Sequence, residues 1–160
     1  MSMKIQGGVE PLSVDWSPHE SHALVTGMKD GPVQIWDTRR AEDCVKSLLS
    51  HAGEVVRVEW SLPGEAIDGI ERKHFLASAA SDGKAILWNL ANEETQDEQA
   101  RELLFVHSGH QKAVNDFAWG LLDDFLFCSV GEDHLLQLWQ PAVSLFEEDV
   151  ESLAKRPRTA

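Results

Sequence analysis

The chain has 160 residues (17.8 kDa), 42% of them hydrophobic and 26% charged, a composition that excludes collagen-like, low-complexity and wholly disordered classes and suits one sizeable core better than two domains. Fourteen Lys and Arg stand against 27 Asp and Glu, and the resulting net charge of −13 repels nucleic-acid phosphates and attracts basic partners. No apolar run approaches the ~20 residues of a membrane-spanning helix, and the opening MSMKIQGGVE has no apolar core of the secretory kind, so neither direct nucleic-acid binding nor membrane attachment is expected.

Tyrosine is absent, and the six tryptophans, at 16, 36, 60, 88, 119 and 139, fall into three pairs. In the first unit Trp36 follows Trp16 by 20 residues, with Thr26 ten and Asp30 six positions before Trp36. Alternation along Val33-Gln34-Ile35-Trp36 has the period of a strand, and Lys29-Asp30-Gly31 before it supplies a tight reversal. The second unit stretches the tryptophan spacing to 28 but keeps Ser78 and Asp82 at the same offsets from Trp88, with the turn Ser81-Asp82-Gly83. Its strand Val55–Trp60 alternates, and His51 stands nine residues before Trp60. The third unit returns to a spacing of 20, places Ser129 and Asp133 before Trp139, turns at Glu132-Asp133-His134, and carries Gly109-His110 nine residues before Trp119. Gly7 occupies that histidine position in the first unit. Cys44 and Cys128 read as buried reduced thiols rather than a disulfide or a zinc site, which suits a reducing compartment.

These offsets of Gly-His, Trp, Ser or Thr, Asp and Trp-Asp resemble the WD repeat of β-propellers, although the dipeptide itself survives only as Trp36-Asp37. The resemblance implies an all-β fold of about three propeller blades over residues 1–146, with repeat cores at 9–38, 51–90 and 110–140, followed by an acidic then basic tail at 147–160. Propellers need ~4–8 blades, so the arc is an incomplete ring whose end blades are expected to self-associate. It reads as the C-terminal part of a longer propeller.

His110, Ser129 and Asp133 are the three residue types of a hydrolase triad, but geometry rather than composition defines one. His51, Ser78, Asp82 and Trp88, and likewise His110, Ser129, Asp133 and Trp139, are instead expected to form buried structural tetrads. His107 and His110 lack the further ligands a metal requires, and no glycine-rich phosphate loop occurs, so no metal, no cofactor and no enzymatic activity are expected.

Two insertions depart from the bare repeat: 62–73, and the acidic ANEETQDEQARE at 91–102, which holds Glu93, Glu94, Asp97, Glu98 and Glu102. The apolar stretches beside the second, from Leu103 and around Leu145-Phe146, make with it an acid-rimmed groove suited to a basic amphipathic helix. ELLFVHSGHQKAVNDFAW, FCSVGEDHLLQLWQ and the acidic segment before them are similar to the C-terminal blades of the retinoblastoma-binding, histone-binding WD-repeat proteins. That family includes the small subunit of chromatin assembly factor 1 and a subunit shared by deacetylase, polycomb and nucleosome-remodelling complexes.

The resemblance implies a ring of seven blades and a non-enzymatic nuclear adaptor whose partners are the arginine-rich core histones and the subunits of chromatin complexes. It places a histone helix against Glu93, Glu94, Asp97 and Glu98, with apolar contacts from Leu104, Phe105 and Leu145, and a second peptide site on the top face including Glu54 and Glu132. Val56 stands where the family has an aromatic residue, and the family's double proline in the side loop is missing. A second reading comes from Trp36-Asp37-Thr38-Arg39, which resembles the signature of WD-repeat substrate receptors of cullin-RING ubiquitin ligases, with Trp36, Asp37 and Arg39 as adaptor contacts. Lys155-Arg156-Pro157-Arg158 resembles a short nuclear localisation signal.

Overall fold

A computed structural model describes residues 9–40, 43–66, 71–91, 102–121 and 125–142. Strands β1 (Pro11–Trp16), β2 (Ala23–Met28), β3 (Val33–Asp37) and β4 (Lys46–Leu48) form one antiparallel meander, blade 1. β5 (Val55–Trp60), β6 (Phe75–Ala80), β7 (Ala85–Asn89) and β8 (Leu103–His107) form blade 2, and β9 (Val114–Trp119), β10 (Phe127–Gly131) and β11 (Leu136–Trp139) form blade 3. The chain is therefore all-β in three antiparallel sheets, as propeller blades require. Among the described residues the third blade has three strands rather than the four of its neighbours.

Each meander follows from short alternating runs closed by turn residues. The reversal between β2 and β3 uses Gly31 at φ +109°, and that between β6 and β7 uses Gly83 at φ +80°, backbone that L side chains avoid. A Cβ on Gly31 would also lie 2.6 Å from the carbonyl oxygen of His51, so glycine lets the blade 1 turn touch the loop entering blade 2. Blade 3 makes the same turn with His134 at φ 66°, a strained choice for a residue with a Cβ.

A sheet with two apolar faces cannot bury both by itself, and the blades do it by stacking. Val25, Val33, Ile35 and Leu48 of blade 1 meet Val55, Val58, Trp60, Leu76, Ile86 and Trp88 of blade 2 in one core. Phe75, Ala77, Ala79, Ala85 and Leu87 on the other face of blade 2 meet Val114, Phe117, Trp119 and Phe127 of blade 3 in a second. The innermost strands add polar ties: Ser13 Oγ donates to the Val55 carbonyl (3.1 Å) and the Trp60 amide donates to Asp15 Oδ2 (2.8 Å).

Two expectations need correction. Cys44 and Cys128 are free thiols but only half-buried, because Cys44 lies in the connection before β4 and Cys128 points from β10 to the uncovered side of blade 3. Glu102 is no part of an acidic rim: its side chain is buried at the start of β8 and pairs with Lys46 Nζ at 2.5 Å, joining the outer strands of blades 1 and 2.

The turn geometry predicts opposite outcomes for two substitutions. Gly31→Ala should lower the unfolding free energy by ~1–3 kcal/mol, from positive φ and the close His51 carbonyl, whereas His134→Gly should raise it by less than ~1 kcal/mol. Urea unfolding followed by tryptophan fluorescence measures both.

Candidate functional site

Among the described residues a four-residue polar network occurs twice, in blades 2 and 3. Trp88 Nε1 donates to Ser78 Oγ (2.9 Å), Ser78 Oγ lies 2.8 Å from His51 Nε2, and His51 Nδ1 lies 3.2 Å from both carboxylate oxygens of Asp82. In blade 3 the matching distances are 3.1 Å for Trp139 to Ser129, 2.9 Å for Ser129 to His110, and 3.0 Å for His110 to Asp133. The carboxylate sets the tautomer: Nδ1 carries the proton, so Nε2 accepts from the serine hydroxyl, whose oxygen accepts from the indole. Every donor then has an acceptor.

Asp82 also takes the amides of Ala52 (2.9 Å) and Lys84 (3.1 Å), and Asp133 those of Gln111 (3.1 Å) and Leu135 (3.2 Å). Burial pushes both carboxyls up, but the bonds from the histidine and the two amides outweigh it and hold each below the usual carboxylate range. One aspartate thereby ties a strand-to-strand turn to the loop entering its own blade. Blade 1, whose sequence has Gly7 in the histidine position, keeps among the described residues only the tetrad bond from Trp36 Nε1 to Thr26 Oγ1 (2.9 Å), and its Asp30 lies exposed.

The connectivity of Ser129, His110 and Asp133 is that of an acyl-transfer triad, yet Ser129 is only 1% exposed and its oxygen is already engaged by the Trp139 indole. An electrophile cannot reach that oxygen, and the tetrad joins strands instead. The third indole is further clamped, with Phe127 and His107 stacked on it at centroid distances of 4.4 Å. His107 Nε2 shares a bond with Gln137 Oε1 (2.9 Å), and burial lowers the pKa of this imidazole, so it sits neutral against the indole. Among the described residues no group of three or more His, Cys, Asp or Glu is placed to hold a metal.

The surface residues separate by end of the blades. Glu54 and Glu132 are both exposed, in the turns that enter β5 and follow β10, at one common end. Lys29 sits at this end too, bonded to Glu10 at 2.9 Å, with Glu54 adding to the raised pKa of its ammonium. Ala91 and Glu102, which bracket the acidic insertion, lie at the opposite end; Glu93, Glu94, Asp97 and Glu98 fall outside the described residues, as does Leu145.

Leu104 and Phe105 lie on β8, the outermost strand of blade 2, where a bulge between its pairings with Leu87 and Trp88 turns both toward the blade 3 side. Both are half-buried against the inter-blade core, Phe105 with its ring 5.9 Å from Trp139. Val56 is half-buried on β5. Trp36 is buried, and Arg39 is folded onto Asp37 with its Nη2 2.6 Å from Oδ2, a pairing that holds the Asp37 carboxyl well below the usual range. That pairing engages the guanidinium proposed as an adaptor contact.

Sequence reasoning missed a cluster on the inner strands. Arg57 Nη2 lies 3.3 Å from Glu59, and its Nε lies 3.4 Å from Asp116, within ion-pair reach but without hydrogen-bond geometry. Burial raises the pKa of Glu59, opposed by Arg57 and reinforced by Asp15 and Asp116. The signal was available as alternate polar residues on β1, β5 and β9, the positions that point away from the blade cores.

A repeat model described as "WD domain, G-beta repeat" matches residues 101–140. "Histone-binding protein MSI1" of Saccharomyces cerevisiae is 30% identical over 89% of this chain and 30% of its own length. Two proteins named "Histone acetyltransferase type B subunit 2" are also similar, from Debaryomyces hansenii (28% identical; 86% of this chain, 34% of the relative) and Candida glabrata (30% identical; 78% and 29%). The chain thus spans about a third of the length of these relatives.

Removing one tetrad member should strand buried partners: His110→Ala is expected to cost about 1–3 kcal/mol, and Thr26→Ala in the shorter blade 1 network less, by thermal and urea unfolding. Acid should act through the aspartates. Their carboxyls ionise more readily folded than unfolded, so the stability they contribute is present above pH ~4 and is lost as pH falls through their folded values. The melting temperature should therefore drop on acidification, and Asp82→Asn with Asp133→Asn should flatten that profile.

Proposed function

We propose, for a WD-repeat chain similar over most of its length to proteins named for histone binding and for acetyltransferase subunits, that it is part of a non-enzymatic histone-binding adaptor acting in chromatin complexes in the nucleus. The observation that carries the reading is the match to a histone-binding protein across 89% of the chain. Its chemistry agrees, because a net charge of −13 suits the arginine-rich core histones and disfavours nucleic acid. The tetrads leave no accessible nucleophile, so the work assigned to the blades is display.

Within this reading the histone helix docks at the side of blade 2 on Leu104 and Phe105 of β8, with Leu145 as a further apolar contact and Glu93, Glu94, Asp97 and Glu98 as its acidic partners. Apolar anchors set the lifetime of such a complex, and carboxylates at the rim set its rate of formation. The half-burial of Phe105 against the blade 3 core gives that residue two duties, and truncating it should weaken the blades as well as the groove. Glu54 and Glu132 belong to a second peptide site at the other end, partly neutralised by Lys29. The basic tail, from Lys155 to Arg158, serves nuclear entry.

The carboxylates give the cleaner test. With an amphipathic arginine-rich histone helix peptide as probe, changing Glu93, Glu94 and Glu98 to Gln and Asp97 to Asn should cut the association rate by about tenfold at low salt and flatten its salt dependence, with little change in dissociation. Glu54→Gln with Glu132→Gln should leave helix binding unaltered. Stopped-flow kinetics on the 160-residue chain at two ionic strengths reads both, and identical kinetics for the loop variant and the parent would place the histone contact elsewhere.

A further inference from the structure

Strand β8 carries one residue more than its partner requires. Its ladder with β7 runs Ala85 with His107, Ile86 with Val106 and Leu87 with Phe105, then passes to Leu103 opposite Trp88, so Leu104 is the extra residue of a β-bulge. Side chains on a strand alternate between its faces: Val106 and Leu103 pack into the core shared with blade 1, and Phe105 into the core shared with blade 3. The bulge breaks that alternation for Leu104, which joins Phe105 on the blade 3 side. Two consecutive large apolar side chains thereby share one face, which a regular strand does not allow.

Such a register has a competitor, since pairing Trp88 with Leu104 would restore a regular ladder and turn Leu104 to the opposite face. What opposes the slip lies at the start of β8. The Asn89 amide donates to the Glu102 carbonyl (2.7 Å), and Asn89 Oδ1 accepts from the amide of Ala91 (3.0 Å), so the backbone just before the bulge is tied to the end of β7. The Glu102 side chain reaches the other way, to Lys46 Nζ of blade 1 at 2.5 Å. Lys46 pairs with Ile35 on the face that blade 2 covers, and Glu102 is only 7% exposed. A carboxylate buried that far is costly without its counter-ion. Slipping by one residue would move it by roughly 3.3 Å along the strand, out of hydrogen-bond reach of the ammonium.

We propose that Lys46 and Glu102 are positioning residues for the apolar wall on β8: their ion pair, made between two blades, holds the bulged register that sets Leu104 beside Phe105. The inference rests on the reading of β8 as the histone-helix groove, and it gives blade 1 a part in a site built on blade 2. That part is steric rather than electrostatic. The two charges neutralise each other, so the pair governs how long a docked helix stays and not how fast it arrives.

Lys46→Met keeps the aliphatic stem and removes the ammonium, Glu102→Gln keeps the shape and removes the charge, and Lys46→Arg keeps a cation. In isotope-labelled 160-residue chain, the cross-strand nuclear Overhauser contacts of Trp88 should move from Leu103 to Leu104 in the first two variants and stay with Leu103 in the parent and in Lys46→Arg. With the arginine-rich histone helix peptide as probe, dissociation from Lys46→Met and Glu102→Gln should be at least ~tenfold faster, while association changes by less than about twofold and keeps its salt dependence. Lys46→Arg should dissociate as the parent does. A lowered melting temperature with Leu103 still opposite Trp88 and unaltered dissociation would reduce the pair to a structural one and overturn the assignment. A parent that does not bind the peptide would overturn the histone reading instead, and the Trp88 contacts would then decide the role of Lys46 and Glu102 by themselves.

Discussion

A four-stranded antiparallel sheet with apolar side chains on both faces has no stable existence in water alone, and this constraint organises the whole arc. It is met by a repeated act of burial in which the inner strand of one blade places two aliphatic or aromatic residues and a tryptophan into the face of the blade before it. Large side chains buried in this way are each worth ~1.5–3 kcal/mol against exposure, which exceeds the ~1 kcal/mol of a typical internal hydrogen bond. The small side chains of Ala77, Ala79 and Ala85 suit it, leaving depth for Phe117 and Trp119 to approach the sheet. The blades consequently have direction, one face projecting and one receiving.

The tetrads depend on that burial. Trp88 and Trp139 belong to the inter-blade cores, and their indole N–H groups must find acceptors there or incur the cost of an unmet donor. The serine, histidine and aspartate behind each one relay that need outward to a turn that backbone amides complete. The same four atoms in a cleft would poise a nucleophile. Sealed under a neighbouring blade, they give a pin through three strands and two loops. Geometry of this type marks function only together with access.

Charge is distributed with more selection than the overall excess of acid suggests. Glu102 is drawn inside to meet Lys46, Asp15 and Glu59 face the inner strands with Arg57, and Asp82 and Asp133 are consumed by the tetrads. Glu54 and Glu132 remain at the surface, where long-range attraction for a basic partner acts with least loss to internal pairing.

The class of fold was legible in the primary sequence because it depends on local spacing: a strand alternates with period two, a tight turn favours Asp-Gly, and a fixed offset from the tryptophan brings Ser78 or Ser129 beneath the indole. The resemblance to histone-binding WD-repeat proteins was legible in the same way, from contiguous segments of blades 2 and 3. Tertiary structure decided what depends on the neighbouring sheet. Glu102 reads as one more acid in an acidic run until Lys46, far away in sequence, is seen to reach it. Phe105 reads as a free groove anchor until a bulge on β8 turns it toward Trp139. Trp16, Trp60 and Trp119 are indistinguishable as letters in a repeat, and only the stacking of blades exposes the first while burying the others, since exposure is a property of what lies opposite a residue and not of the residue itself.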